Sequence, residues 1–276
     1  LPEGKTTAAT SGSTGTLVFV GRTVTVPINN LDSSQQILIT YTADAPGTPE
    51  TSTFVIKSQE TDSGLQTQVG DPVEVTVGNN VTISDDSLRA ALEAALGKGE
   101  GALITDAELA GLTEFTATDK SISDLTGIEH CIGLTHLYLS NNNISDISAL
   151  AKLTNLSELY LSNNSISDIS AFAELTKLER LSLENNSISE ISALAGLTEL
   201  QYLSLNNNKI KDVSALASLT SLELLDLDAS TISDISALAS LTNLTELSLE
   251  NNSISDISVL AWLFVELTKL ERLYLS

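Results

Sequence analysis

The dominant pattern along this chain is a leucine that returns every 22 residues. Leu134, Leu156, Leu178, Leu200, Leu222 and Leu244 each lead a copy of one phrase, first stated clearly from Leu134 to Leu153. In that copy Leu134, Leu137, Leu139, Ile144, Ile147, Leu150 and Leu153 are apolar, and Ser, Thr, Asn and charged residues fill the gaps. Alternation around Leu137-x-Leu139 predicts a short strand. The return stretch from Ile147 to Leu153 predicts a turn or two of 3₁₀- or α-helix. A fixed period of this length marks a solenoid, in which each copy makes one turn and the strands stack in parallel about 4.8 Å apart. The predicted class for residues 112–276 is therefore an α/β solenoid, with the parallel sheet on its concave face and short 3₁₀ or α turns on its convex face.

The pattern weakens at both ends of the array. Gly111 to Ile132 reads as a degenerate first copy: Leu112, Phe115, Ala117, Ile122, Leu125 and Ile128 keep the core positions, while Lys120 stands where later copies carry Asn. From Leu244 to Leu270 the spacing is 26 residues, and the extra four fall in Trp262-Leu-Phe-Val265, about one added helical turn. Upstream the period changes. Leu88, Ala91, Leu92 and Ala95 lie at i, i+3, i+4 and i+7, Gly97 is placed to end that helix, and Thr105-Asp-Ala-Glu108 is a capping box for a second one. Residues 84–111 are thus expected to form a helical lid over the apolar end of the first turn.

Residues 1–83 follow a third pattern. Thr16–Val20, Thr23–Ile28, Gln36–Thr42, Ser52–Lys57 and Val73–Val77 are short β-type runs, several with period-two alternation, broken by Gly21, Asn29-Asn30, Pro46-Gly47 and Gly70-Asp71-Pro72. They predict a small all-β sandwich after a loose Thr- and Ser-rich arm over 1–16. The segment is short for a complete sandwich, so a strand donated by another chain, and with it self-assembly through residues 1–83, is an open alternative.

Charge narrows the function classes. The chain carries 36 acidic and 13 basic residues, net −23, of which −18 lies beyond residue 83. Nucleic acid and anionic membrane surfaces call for clustered Lys and Arg, so both are excluded as partners, and no run of 18 apolar residues offers a membrane span. The one cysteine, Cys131, excludes an intramolecular disulfide. Absence of Met and abundance of Thr, Ser and Asn suit an exported protein. The chain begins without Met or a signal peptide, as a processed or trimmed product would, and Ser276 falls in mid-repeat, so the natural chain is expected to continue there or to dock.

Three columns of residues could carry function. Asn142, Asn164, Asn186, Asn208 and Asn252, with Ser230 as the exception, form a column expected to be a structural ladder, its amides paired to the backbone between turns. Asp124, Asp146, Asp168, Glu190, Asp212, Asp234 and Asp256 form a second. These suit N-capping of the return segments; the alternative is a ladder of Ca²⁺ sites, although calcium loops gather several carboxylates within one turn. The third is the set of outward strand positions on the concave face. It includes His136, Tyr138, Glu158, Tyr160, Arg180, Glu184, Tyr202, Leu224, Asp226, Asp228, Glu246, Glu250 and Tyr274, together with serines such as Ser162, Ser182 and Ser204. Four of the five tyrosines fall on this surface, and tyrosine among polar groups is what recognition interfaces use. Catalysis finds no support: the histidines are His130 and His136 alone, His130 and Cys131 point to opposite sides of an extended segment, and no nucleophile elbow, phosphate loop or metal-ligand spacing occurs. Asn80, Asn143, Asn155, Asn163, Asn185, Asn243 and Asn251 lie in N-x-S/T tripeptides, which repetition multiplies.

The pattern L-x-x-L-x-L-x-x-N-x-I resembles the leucine-rich-repeat family, and the tail Ile-Ser-Asp-Ile-Ser-Ala-Leu-Ala-x-Leu-Thr is similar to the 22-residue class of bacterial internalin-type surface proteins. Gly21-Arg-Thr-Val-Thr-Val-Pro-Ile-Asn29 is similar to the early strands of bacterial immunoglobulin-like modules. The resemblance implies an extracellular or cell-surface protein that is not an enzyme, needs no cofactor, and binds a protein or glycan ligand on the concave face, with residues 1–83 as spacer or anchor. The rival expectation is a structural subunit of a surface layer or extracellular filament that displays the repeats outward.

Overall fold

The computed structural model describes residues 80–256 and 265–275, and before them the backbone of five strands. The chain forms two compact units, one of residues 1–80 with 105–107, the other of residues 81–104 and 108–276.

In the first unit β1 (Val18–Val20), β2 (Thr23–Val26) and β5 (Val73–Thr76) form an antiparallel sheet in the order β1-β2-β5, and β3 (Gln36–Ala45) pairs with β4 (Thr48–Lys57) as a long antiparallel ribbon. The ribbon is longer than the alternation of the sequence indicates, because pairing of Ala45 with Thr48 and Asp44 with Pro49 carries the ladder to its tip. A two-stranded ribbon is all edge, which is where a strand tolerates proline. The arm over 1–16, the connecting turns and the closure of these strands into an immunoglobulin-like sandwich lie outside the described residues.

The second unit opens with α1 (Asp86–Ala95). Asp85 caps it: Oδ1 accepts from the Ser87 and Leu88 amides at 3.0 Å, while Oδ2 accepts from the Ser123 amide at 2.8 Å, so one carboxylate starts the helix and ties it to the first repeat. Leu88 and Leu92 are fully buried on its inner face, and Gly97 ends the helix in the left-handed conformation, φ +65°. α2 (Asp106–Ala110) follows and buries Leu109.

The repeats stack β6 (Glu114–Thr116), β7 (His136–Tyr138), β8 (Glu158–Tyr160), β9 (Arg180–Ser182), β10 (Tyr202–Ser204), β11 (Leu224–Asp226), β12 (Glu246–Ser248) and β13 (Arg272–Tyr274) into an eight-stranded parallel sheet in chain order. Register follows the repeat without slippage, so His136 pairs with Glu158, Leu137 with Leu159 and Tyr138 with Tyr160. The longer last spacing is absorbed between strands: Glu246 still pairs with Arg272. The four added residues themselves fall within 257–264 save Val265, outside the described residues.

The returns are five-residue 3₁₀ segments, Ser148–Lys152, Ser170–Glu174, Ser192–Gly196, Ser214–Ser218 and Ser236–Ser240, preceded by the shorter Ile128–His130. Between strand and return lies one continuous core in which the repeated leucines and isoleucines, with Phe172 in place of a leucine, are almost wholly excluded from water. Each such residue contributes about 1.5–3 kcal/mol, and each repeat can bury its apolar side only against its neighbours. Cys131 lies inside this core.

Two adjacent asparagines close five of the eight strands, and they do different work. Asn141, Asn163, Asn185, Asn207 and Asn251 adopt left-handed backbone angles, φ 53–58°, which Asn tolerates better than other residues with a Cβ. The next residue points inward. Asn208 Oδ1 accepts from the Ile188 amide at 2.9 Å, while Nδ2 donates to the Leu183 and Leu205 carbonyls at 3.0 and 2.8 Å. Asn142, Asn164, Asn186 and Asn252 repeat this arrangement. Two turns depart from it: after β6 Asp119 takes the left-handed position at φ 57° ahead of Lys120, and after β11 Ala229 takes it at φ 49° ahead of Ser230, which is buried with its hydroxyl unpaired.

Candidate binding face

Because strand side chains alternate, each repeat sends its first and third strand residues, and the residue two further on, to the concave side. Parallel in-register pairing then lines like positions into columns. One column runs Glu114, His136, Glu158, Arg180, Tyr202, Leu224, Glu246, Arg272, and the next runs Thr116, Tyr138, Tyr160, Ser182, Ser204, Asp226, Ser248, Tyr274.

The face divides into regions of different chemistry. Toward its N-terminal end Tyr138 and Tyr160 stack, with ring centroids 5.1 Å apart and planes 17° from parallel. The Arg180 guanidinium sits 5.9 Å from the centre of the Tyr202 ring, within range of a cation–π contact. Glu158 gathers this region: it accepts from the Tyr138 hydroxyl at 3.2 Å, and Arg180 and His136 approach it at 3.8 and 4.0 Å. His136 in turn has Thr135 Oγ1 at 2.8 Å from Nδ1. Burial raises the Tyr138 and Tyr160 phenols above the ordinary value, and the neighbouring Glu158 carboxylate raises both further. Burial, then Glu184, does the same to Tyr202.

The centre is floored by serines. Expected to stand outward, Ser162, Ser182 and Ser204 are instead nearly sealed, at 5%, 5% and 1% exposure. On a concave surface short side chains are shadowed by longer neighbours. Ser162 and Ser182 bond to each other at 2.6 Å, whereas Ser204 Oγ completes no hydrogen bond.

The C-terminal region is acidic. Asp226 accepts from the Asn206 side-chain amide and, at 3.1 Å, from the Asp228 backbone. Asp228 accepts from Ser248 Oγ and the Glu250 amide, both at 2.6 Å. Burial raises the Asp226 carboxyl above its ordinary value, and the charges of Asp228 and Glu246 act in the same direction. Leu224, Glu246 and Glu250 are half-buried, Glu246 holds Arg272 at 2.6 Å, and Tyr274 is exposed.

The carboxylate column lies away from this face. Asp146, Asp168, Asp212 and Asp234 are exposed, and each accepts from the backbone amide two residues on at 2.8 Å, at the start of a 3₁₀ segment. These bonds hold their carboxyls below the ordinary value. Among the described residues no three His, Cys, Asp or Glu side chains are gathered to hold a metal ion, and no helix is long and apolar enough to cross a membrane. His130 is half-buried beside Glu129 while Cys131 is sealed in the core, so the two do not share a site. The sequence reading missed the stacked tyrosine pair, the sealed serine floor and the left-handed Asn column. The Asn-Asn doublet signalled the last, but burial on a curved sheet has no signature along one chain.

The family described as "Leucine Rich repeats (2 copies)" matches residues 132–174, 154–196, 176–218, 198–240 and 220–262. The structure is similar to internalin C2 of Listeria monocytogenes, with 36% identity over 70% of this chain and 93% of that one, at a TM-score of 0.56. It is similar to internalin InlF of the same organism, with 31% identity over 70% and 69% and a TM-score of 0.56. A leucine-rich-repeat protein of Leptospira interrogans, at 24% identity over 60% and 43% with a TM-score of 0.55, shares the fold. Comparison with curated proteins gives no match.

Proposed function

This chain belongs to the internalin-like leucine-rich-repeat family, and we propose that it is an exported surface protein that recognises a protein or glycan partner through the concave face of its repeats. The observation that carries this reading is the placement of Tyr138, Tyr160, Tyr202 and Tyr274 on one surface, two of them stacked. A solvated sheet has no need of that arrangement. Rigid aromatic rings beside ordered polar groups bury much area on binding at small entropic cost. In this reading Asn142, Asn164, Asn186, Asn208 and Asn252 keep the surface rigid rather than touch the partner, and residues 1–83 act as spacer or anchor.

The test is binding of the fluorescently labelled chain to cells and to protein and glycan arrays, compared with Tyr138→Ser and Tyr160→Ser. Serine already occupies this column at Ser182, Ser204 and Ser248, so these variants are compatible with the fold. We expect binding to fall at least about tenfold, the scale of a lost aromatic anchor, with the thermal midpoint nearly unchanged. Undiminished binding would remove the concave face from consideration. Light scattering on the same samples separates this reading from a filament or surface-layer subunit, which would assemble with concentration and no added ligand.

A further inference from the structure

The fold leaves the C-terminal half of the concave face short of positive charge. Arg180 lies against Glu158 and Arg272 against Glu246, and among the described residues no ion pair reaches Glu184, Asp226, Asp228 or Glu250. The two aspartates cannot swing away from each other, because Asp226 is held on both oxygens by Asn206 and the Asp228 amide, and Asp228 by Ser248 and the Glu250 amide. Uncompensated, half-buried carboxylates cost stability, and this site keeps them ordered. The neighbouring strand adds a second sign. Ser204, in register with Asp226 and on the same side of the sheet, is 1% exposed and its hydroxyl makes no hydrogen bond. Asp226 and Asp228 have hydrogen-bond donors but no positive charge beside them, and a cation with several N–H groups supplies that charge together with a donor for the Ser204 hydroxyl.

Resting on the concave-face reading above, we infer that the surface from β10 to β12 docks a basic segment of a protein partner, with an arginine or lysine side chain seated on Asp226 beside Ser204. Tyr202 and Leu224, paired across the first strand position, flank the place where its alkyl stem would lie. The inference selects a protein over a glycan, since neutral or acidic sugars supply no charge to this patch. It also accounts for β11 departing from the repeat consensus: an aspartate occupies the column that holds serine in both neighbouring strands.

The probe is N-acetyl-arginine N-methylamide, with its neutral citrulline isostere as control, titrated into the whole isotope-labelled chain and followed by amide NMR. The expected result is saturable millimolar shifts centred on Ser204, Asp226 and Asp228 with arginine and none with citrulline. Asp226→Asn should weaken the arginine probe about tenfold, the scale of one charge-assisted bond, while Asp234→Asn on the opposite edge leaves it unchanged. Equal shifts with citrulline overturn the inference, as does an arginine response spread evenly over the exposed Asp146, Asp168 and Asp212. An unaltered titration of Asp226→Asn overturns it too. If the arginine probe fails while Tyr160→Ser still abolishes cell binding, this inference falls and the concave-face reading stands; if the tyrosine variants bind normally as well, both fall.

Discussion

Replacing Asn208 with Ser tests the ladder that holds the turns together, and the protein contains its own precedent at Ser230. Asn208 gives the Ile188 amide an acceptor at 2.9 Å and donates to the Leu183 and Leu205 carbonyls at 3.0 and 2.8 Å. Serine is too short to bridge these groups, as the unpaired hydroxyl of Ser230 illustrates. The Leu183 carbonyl keeps a second amide from Asn186 at 3.0 Å, so its loss is small. Orphaning one buried N–H costs about 1–3 kcal/mol, and losing the remaining carbonyl bond about 0.5–1.5 kcal/mol. The expected loss is therefore about 3 kcal/mol, read from urea denaturation followed by far-UV circular dichroism. The slope of free energy on denaturant should stay constant if the repeats still unfold together. A cost below about 1 kcal/mol would refute the reasoning, because it would mean the ladder amides are as well served by water. A shallower slope would mean that the array had split into independently unfolding blocks. The reciprocal variant, Ser230→Asn, should stabilise, since it offers the Ile210 amide what Asn208 offers Ile188.

Four further outcomes follow from the same structure. The capping carboxyls of Asp146, Asp168, Asp212 and Asp234 sit below their ordinary value, so their contribution is complete above about pH 4, the unfolded value, and drains as pH falls through the folded ones; acid titration of the thermal midpoint should show stability declining there, and a flat profile would contradict it. Asp226 has the opposite sign, its carboxyl raised by burial, so its ionisation weakens the fold as pH rises; Asp226→Asn should raise the midpoint at pH 7 and lose that advantage in acid. Cys131, fully buried with its thiol pushed up to about 12 by burial and then by Glu129, should resist a thiol reagent at pH 8 until the chain is unfolded, and prompt labelling of the native protein would contradict its placement. Gly133→Ala should cost about 1–3 kcal/mol or more in the same denaturation assay, because a Cβ there would fall 2.3 Å from the Ala110 carbonyl oxygen and 3.0 Å from that of Leu112, neither of which can step aside.

The sequence by itself determined the solenoid. A strict 22-residue period with leucine at the same offsets admits one solution, in which every turn buries the same positions, and the in-register sheet and five-residue 3₁₀ returns realise it. The convex-side caps were legible for the same reason: Asp146 bonds to the amide two residues on, whereas the capping of α1 by Asp85 went unread. Which residues share a column was also legible, since register follows from the period. What tertiary structure alone decided is how neighbours in a column treat one another. Stacking of Tyr138 on Tyr160, the sealing of Ser204, the gathering of His136, Tyr138 and Arg180 about Glu158, and the constraint of Asp226 by Asn206 are contacts between side chains about 20 residues or more apart, or between strands. They depend on curvature, rotamer and shadowing, to which hydrophobic periodicity is blind. A repeat specifies its own backbone because every copy makes the same demand, whereas a binding face arises where copies differ, and the effect of each difference is set by the side chains beside it.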